Sequence, residues 1–227
     1  MLSSFGVEFE AINVEGDPAA LAELHRLGAP LVPAVALGDR VVHGWNPKGV
    51  AKLVGVQYAE RERLAPEELV KRLDAVLAAA QRAIRQVPDG RLEMKSPDRD
   101  RTVRNLGYHI FRLSLAFRDG MAERRFPEAW LLEEAPPAIQ DGAALAGYGE
   151  IVRERLAEWS RRPGAWEGVV ETYYGPQTGH ELLERTTWHA AQHLRQLYAL
   201  LEMMGVVPDR PLTDADFGGL PLPESLW

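Results

Sequence analysis

Trp188-His189-Ala190-Ala191-Gln192-His193-Leu194-Arg195-Gln196 lies inside a run, from about Gly179 to Met204, that reads as one long helix. A spacing of four on a helix sets both imidazoles on one face, one turn apart, where two nitrogens can share an ion. At about 100° per residue, the apolar stripe of this helix collects Leu182, Leu183, Thr186, Ala190, Leu197, Leu200, Leu201 and Met204. His193 falls inside the edge of that stripe and His189 just beside it, so both face a neighbouring helix rather than water. Two readings fit the pair: core-edge histidines satisfied by hydrogen bonds, or two ligands of one metal ion.

The same period continues upstream. One helix is predicted from Pro66 to about Val87, with Leu69, Leu73, Val76, Leu77, Ala80, Ile84 and Val87 on one stripe and Pro66-Glu67-Glu68 as a favourable first turn. A second runs from about Asp100 to Gly120, with Val103, Leu106, Ile110, Leu113 and Phe117 on one face. A Pro-rich connection with a short turn around residues 130–133 leads to a third, from about Gly142 to Arg161. Val169 to Tyr174 is expected to be extended before Gly175-Pro176. Four amphipathic helices with a long crossover between the second and third make a four-helix bundle. The tail after Pro208, rich in Pro and Gly, is expected on the surface.

His109 stands at the edge of the second helix's stripe, as His189 does on its own helix. Three histidines from two helices, all at core edges, fit an open three-nitrogen site. Neutral imidazole suits zinc, nickel, cobalt, iron or copper, and the chain has no Cys to add a thiolate. Tyr108, Arg112, Glu184 and Arg185 lie within a turn of these histidines and could orient a ligand or hold an oxyanion, against the plainer reading of solvated surface groups. Of the other histidines, His25 reads as exposed, His43 as capping a turn and His180 as capping the last helix.

The bulk composition excludes several classes. With 227 residues, 46% hydrophobic and 26% charged, the chain reads as globular. A net charge of −7 without a basic block excludes nucleic acid and anionic membranes as expected partners. No apolar run approaches the roughly 18 residues that span a bilayer, and no signal peptide is read at the N-terminus, so a cytoplasmic location is expected. There is no Gly-rich phosphate loop and no Ser-centred nucleophile elbow.

Residues 7–57 have a different rhythm. Val7-Glu8-Phe9-Glu10-Ala11-Ile12-Asn13-Val14 alternates and predicts a strand. Asp17-Pro18 opens a helix that ends near Gly28. Val32 to Leu37 and Arg40 to His43 predict strands around the Gly38-Asp39 turn, and Asn46-Pro47 starts a short helix. The predicted order is β-α-β-β-α. In Gly6 to Val14, Val32-Pro33 and Gly38-Asp39-Arg40-Val41-Val42-His43-Gly44-Trp45-Asn46-Pro47, the segment resembles the glutaredoxin/thioredoxin fold. That resemblance implies a cis Pro33 beside a thiol site. The family's first strand and Cys-x-x-Cys helix have no counterpart, and Met1-Leu2-Ser3-Ser4 reads as the end of that helix. The segment is therefore expected to be structural or dimerising.

The helical region, about residues 66 to 207, resembles the DinB-like family, of the superfamily of thiol-dependent transferases and the mycothiol-dependent maleylpyruvate isomerase. The family has one His on its second helix and His-x-x-x-His-Arg-x-Gln on its fourth. Here these stand as Asn105-Leu106-Gly107-Tyr108-His109 and His189-Ala190-Ala191-Gln192-His193-Leu194-Arg195-Gln196. The resemblance implies that His109, His189 and His193 bind a divalent metal, zinc or nickel foremost. Gln196 keeps its place, and the family's Arg is displaced by one position to Arg195. The expected whole is a two-part α+β chain: residues 1–57 as the truncated glutaredoxin-like segment, 58–207 as the bundle, and 208–227 as a tail. The expected activity is metal-dependent activation of a low-molecular-weight thiol or of water for transfer, isomerisation or hydrolysis of a small-molecule substrate. The alternative is a stress-related protein that binds a metal or small ligand without turnover. A homodimer is expected, because an unprotected strand edge invites a partner.

Overall fold

The computed structural model describes all residues except 1, 3, 4, 15, 16, 30, 31, 45, 58–61, 98, 99, 224, 225 and 227. Met1, Ser3, Ser4 and Trp45, used in the glutaredoxin comparison, lie outside the described residues. The chain divides into two units, Met1–Glu62 and Arg63–Trp227.

In the first unit, Asp17 caps helix α1 (Pro18–Arg26) by accepting from the backbone N–H groups of Ala19 and Ala20 at 2.9 and 3.1 Å. Strands β1 (Ala34–Leu37) and β2 (Arg40–His43) pair antiparallel, Ala34 opposite His43 and Leu37 opposite Arg40. Gly38, at φ 60°, makes the reversal between them. Helix α2 (Pro47–Val54) is capped by Asn46 and buries Val50, Ala51 and Leu53. The Val32–Pro33 peptide is cis. The strand expected at residues 7–14 does not form. Alternation is a local pattern, whereas a strand needs a ladder partner and a core under its apolar face. Phe9 and Ile12 remain 54% and 63% exposed, and among the described residues the sheet of this unit holds β1 and β2 alone. The described order is α-β-β-α, not the predicted β-α-β-β-α.

The second unit carries four long helices: α3 (Pro66–Arg85), α4 (Val103–Glu123), α5 (Gly142–Ser160) and α6 (Gly179–Met203). Each buries the stripe its period predicts; Leu69, Leu77 and Ile84 on α3 and Leu106, Ile110 and Phe117 on α4 are at most 2% exposed. Helix α4 starts three residues later than expected because the Thr102 hydroxyl accepts from Asn105 N–H at 3.1 Å and fixes the first turn there. It also runs past Gly120 and stops where Arg124 turns left-handed, at φ 58°. Gly120 instead gives room to Phe126, 3.2 Å from where its Cβ would be.

Helices α3 and α4 each pack on both α5 and α6. Helix α3 therefore stands diagonally across the bundle from α4, and α5 from α6. The long connections allow this. Residues 124–141 carry strand β3 (Arg125–Phe126) and a 3-10 turn, Glu128–Leu131. Between α5 and α6 a hairpin forms, β4 (Val169–Thr172) and β5 (Gly175–Thr178), and β3 joins it parallel to β4. Gly149 on α5 lets the Phe111 ring of α4 close in; a Cβ there would lie 2.5 Å from it.

The tail does not simply lie on the surface. A short helix α7 (Asp214–Phe217) puts Phe217 into the bundle core, 7% exposed. Gln86 holds the chain on the way, donating to Val207 O at 3.0 Å and accepting from Asp209 N at 2.8 Å. Among the described residues, no helix is long and apolar enough to cross a membrane.

Candidate metal centre

The adjacency of α4 and α6 brings His109 against His189 and His193. One ring nitrogen from each of the three lies within 4.8 Å of the others. The rings meet at steep angles: His109 is 5.4 Å from His189 and 5.0 Å from His193 between centroids, at 88° and 77°. Nitrogens thus converge from different directions, as coordination requires and stacking would prevent. His109 and His193 are 5% and 8% exposed, and His189 is half-buried.

Helix α6 presents its pair because its start is pinned. Thr178 and Glu181 form a reciprocal cap, in which the Thr178 hydroxyl accepts from Glu181 N–H at 3.2 Å and the Glu181 carboxylate accepts from Thr178 N–H at 2.9 Å. His180, read as a cap, instead bonds Leu64 O through Nε2 at 2.8 Å. On α4, Gly107 permits the approach of α3 and α5; a Cβ there would meet Leu145 at 2.9 Å and Ile84 at 3.0 Å.

The hydrogen bonds of His193 select its chemistry. Its Nδ1 donates to Gln196 Oε1 at 2.6 Å, which places the proton on Nδ1 and turns the Nε2 lone pair toward His189. His189 Nε2 is 2.8 Å from His193 Nε2. Nitrogens bound to one ion at about 2.0–2.1 Å, at right to tetrahedral angles, would be about 2.8–3.4 Å apart. Burial, then the neighbouring His193, His109, Arg185 and Arg101, hold the His189 imidazole well below its ordinary pKa, so it is a neutral lone-pair donor. Three imidazole nitrogens around one point, without a carboxylate or thiolate, fit a borderline divalent ion.

Gln196 is itself anchored, donating through Nε2 to Leu226 O at 2.8 Å. Gln192 makes the same bond at 2.7 Å. Arg195 points away from the imidazoles, to Gln192 Oε1 and Pro223 O, each at 2.8 Å. It braces the tail rather than a ligand.

The other candidates near His109 have their own partners. Tyr108 stacks on Tyr148 of α5 at 5.1 Å, and burial raises the pKa of both phenols. Arg112 forms a two-pronged pair with Glu133 of the crossover and lies 5.4 Å over Trp130. Both tie α4 to its surroundings.

Arg185 differs. It stands one turn before His189 on the same face of α6. Its guanidinium donates to the Tyr173 hydroxyl at 3.0 Å and lies 3.8 Å over the ring of Tyr174. Both tyrosines come from the β4–β5 turn, which no periodicity in the sequence connects to α6; the i−4 position relative to His189 was the one available signal.

No protein-family model and no curated protein matches the chain. Among solved structures, the fold is similar to that of YfiT from Bacillus subtilis, described as a probable metal-dependent hydrolase with an unusual four-helix bundle topology. The TM-score is 0.51 at 18% identity, over 66% of this chain and 95% of that one. The likeness extends to the bundle architecture.

Proposed function

We propose that the chain is a metal-dependent enzyme of the DinB-like type, in which His109, His189 and His193 hold a divalent ion, zinc or nickel foremost. The observation that carries this reading is the Gln196–His193 hydrogen bond. It fixes one tautomer so that the Nε2 lone pair faces the point shared with the other two imidazoles. An unneeded core histidine has no use for that arrangement.

With three protein ligands, a fourth position is open to a small molecule. A divalent ion there supplies Lewis acidity, lowering the pKa of water or of a low-molecular-weight thiol toward neutrality. The protein's part is to bring three imidazoles together and hold them in place. Gln196 orients His193, and burial keeps His189 from taking up a proton. Half-buried His189 marks the side from which a ligand arrives. The description of YfiT as a probable metal-dependent hydrolase supports the water route; the DinB-like motif supports the thiol route.

The test is metal analysis of the purified protein. The cobalt or nickel form is then titrated with low-molecular-weight thiols while its d–d bands are followed. A band shift that saturates is expected. A metal-loaded protein whose bands no thiol moves and whose solvent water does not exchange is a closed structural site, and the enzymatic reading falls. We also propose a homodimer, supported by the two-stranded sheet of the first unit, whose outer edges are unpaired among the described residues. A monomeric mass by light scattering would overturn it.

A further inference from the structure

A cation stands beside a cation-binding centre. Arg185 lies one turn from His189, half-buried, and its contacts are a phenol oxygen and an aromatic face: Tyr173 Oη at 3.0 Å and Tyr174 at 3.8 Å. No carboxylate pairs with it among the described residues. Other arginines near the bundle surface do have such partners, Arg112 with Glu133, Arg153 with Asp74 and Arg104 with Glu93. Two phenols share the guanidinium, Tyr173 by a hydrogen bond and Tyr174 through its ring, and a guanidinium carries five N–H donors.

This placement is electrostatically costly as it stands. Arg185 stands four residues before His189 on α6, so its guanidinium is carried on the same helix face as the imidazoles. A divalent ion adds to the same sign, at a depth where charges are poorly screened. Tyr173 and Tyr174 nevertheless clamp the guanidinium in place, so its rotamer freedom is already spent before any ligand arrives. Such a preorganised, unpaired guanidinium is balanced when an anion enters between it and the ion.

We infer that the molecule entering the centre carries an oxyanion, a carboxylate in the simplest case, and that Arg185 binds it while the molecule's other end occupies the open position. This inference rests on the three-histidine reading. It assigns Arg185 as a substrate-binding residue and Tyr173 as the residue that positions it.

The test uses the full chain loaded with cobalt. Its d–d spectrum is titrated with mercaptoacetate, 3-mercaptopropionate and 4-mercaptobutyrate, and with neutral 2-mercaptoethanol and cationic cysteamine. The best-fitting anionic thiol should bind about tenfold or more tighter than 2-mercaptoethanol, with cysteamine weakest. Arg185→Gln should bring the anionic and neutral thiols within about threefold of each other, with cobalt content and thermal midpoint close to those of the parent. Arg185→Lys should restore part of the preference, and Tyr173→Phe should lose part of it. Equal affinities in the parent, a preference that survives Arg185→Gln, or a cobalt protein that binds none of the thiols would each overturn the inference while leaving the metal centre standing. A protein that retains no cobalt overturns both readings together.

Discussion

The Nε2 atoms of His189 and His193 stand 2.8 Å apart, and Gln196 Oε1, at the opposite edge of the His193 ring, accepts the hydrogen bond that Nδ1–H donates. An imidazole pair this close and this buried has two stable states. One ring donates to the other, or both give their lone pairs to an ion. The second state makes each ligand individually necessary.

Replacing His193 or His109 by Ala should therefore lower metal affinity by about a hundredfold or more, since two nitrogens remain where three converged. Competition with a chromophoric chelator measures this. Full metal occupancy in His193→Ala after such competition would refute the assignment of the three ligands.

Gln196→Leu keeps the helix and removes the acceptor that sets the His193 tautomer. Groups of this kind typically contribute 10- to 100-fold, about, in metal affinity. A loss in that range, with helicity unchanged by circular dichroism, is the expected outcome. An unchanged affinity would mean that the tautomer is fixed by another route.

The metal-free protein should lose stability in mildly acidic solution. Burial first, and then the positive neighbours, keep the His189 pKa well below its ordinary 6.5 in the folded state. The unfolded chain takes up a proton there that the folded chain refuses. The sign follows: stability is full above the unfolded pKa and falls as the pH drops below it. The thermal midpoint should thus decline between about pH 7 and about pH 5, and His189→Gln should flatten the decline. Scanning calorimetry of both chelated proteins is the comparison; parallel curves would assign the acid sensitivity elsewhere.

Gly149→Ala tests the packing that brings α4 toward α5. The added Cβ would fall 2.5 Å from the fully buried Phe111 ring. Overpacking of this kind costs typically about 1–3 kcal/mol, to be read from urea unfolding midpoints. Gly147→Ala, one residue pair away and with open space around the position, should be neutral or slightly stabilising by helix propensity.

Burial on one face only is what makes the four bundle helices readable, since an apolar stripe records that a face is covered. It does not record by what. The diagonal placement of α3 and α4 depends on contacts such as Gly107 with Leu145 and Ile84, which have no local signature. For the same reason the alternation of residues 7–14 misleads: the pattern is local, and the ladder it needs is not. His109, His189 and His193 are readable together because each stands at the edge of a stripe. The Tyr173–Tyr174 clamp on Arg185 is not, because a turn between short strands carries no period to extrapolate. Composition also misjudges the tail. Its Pro and Gly content speaks for a solvent-exposed run, yet Phe217 enters the core and Gln86, Gln192, Arg195 and Gln196 bond the tail's backbone.

Because α4 and α6 are neighbours in space but not in sequence, the histidines that meet between them are far apart along the chain, at positions 109 and 189. An ion joining them would close a ring, through coordinate bonds, that includes the crossover, α5 and the hairpin. Ring closure of that size removes about 4 kcal/mol of freedom from an unfolded chain when a disulfide does it, and coordinate bonds that survive unfolding in part would act in the same direction. Such an ion would also be a removable staple for the bundle: the chain carries no cysteine, and a cross-link of this kind would open with a chelator instead of a reductant.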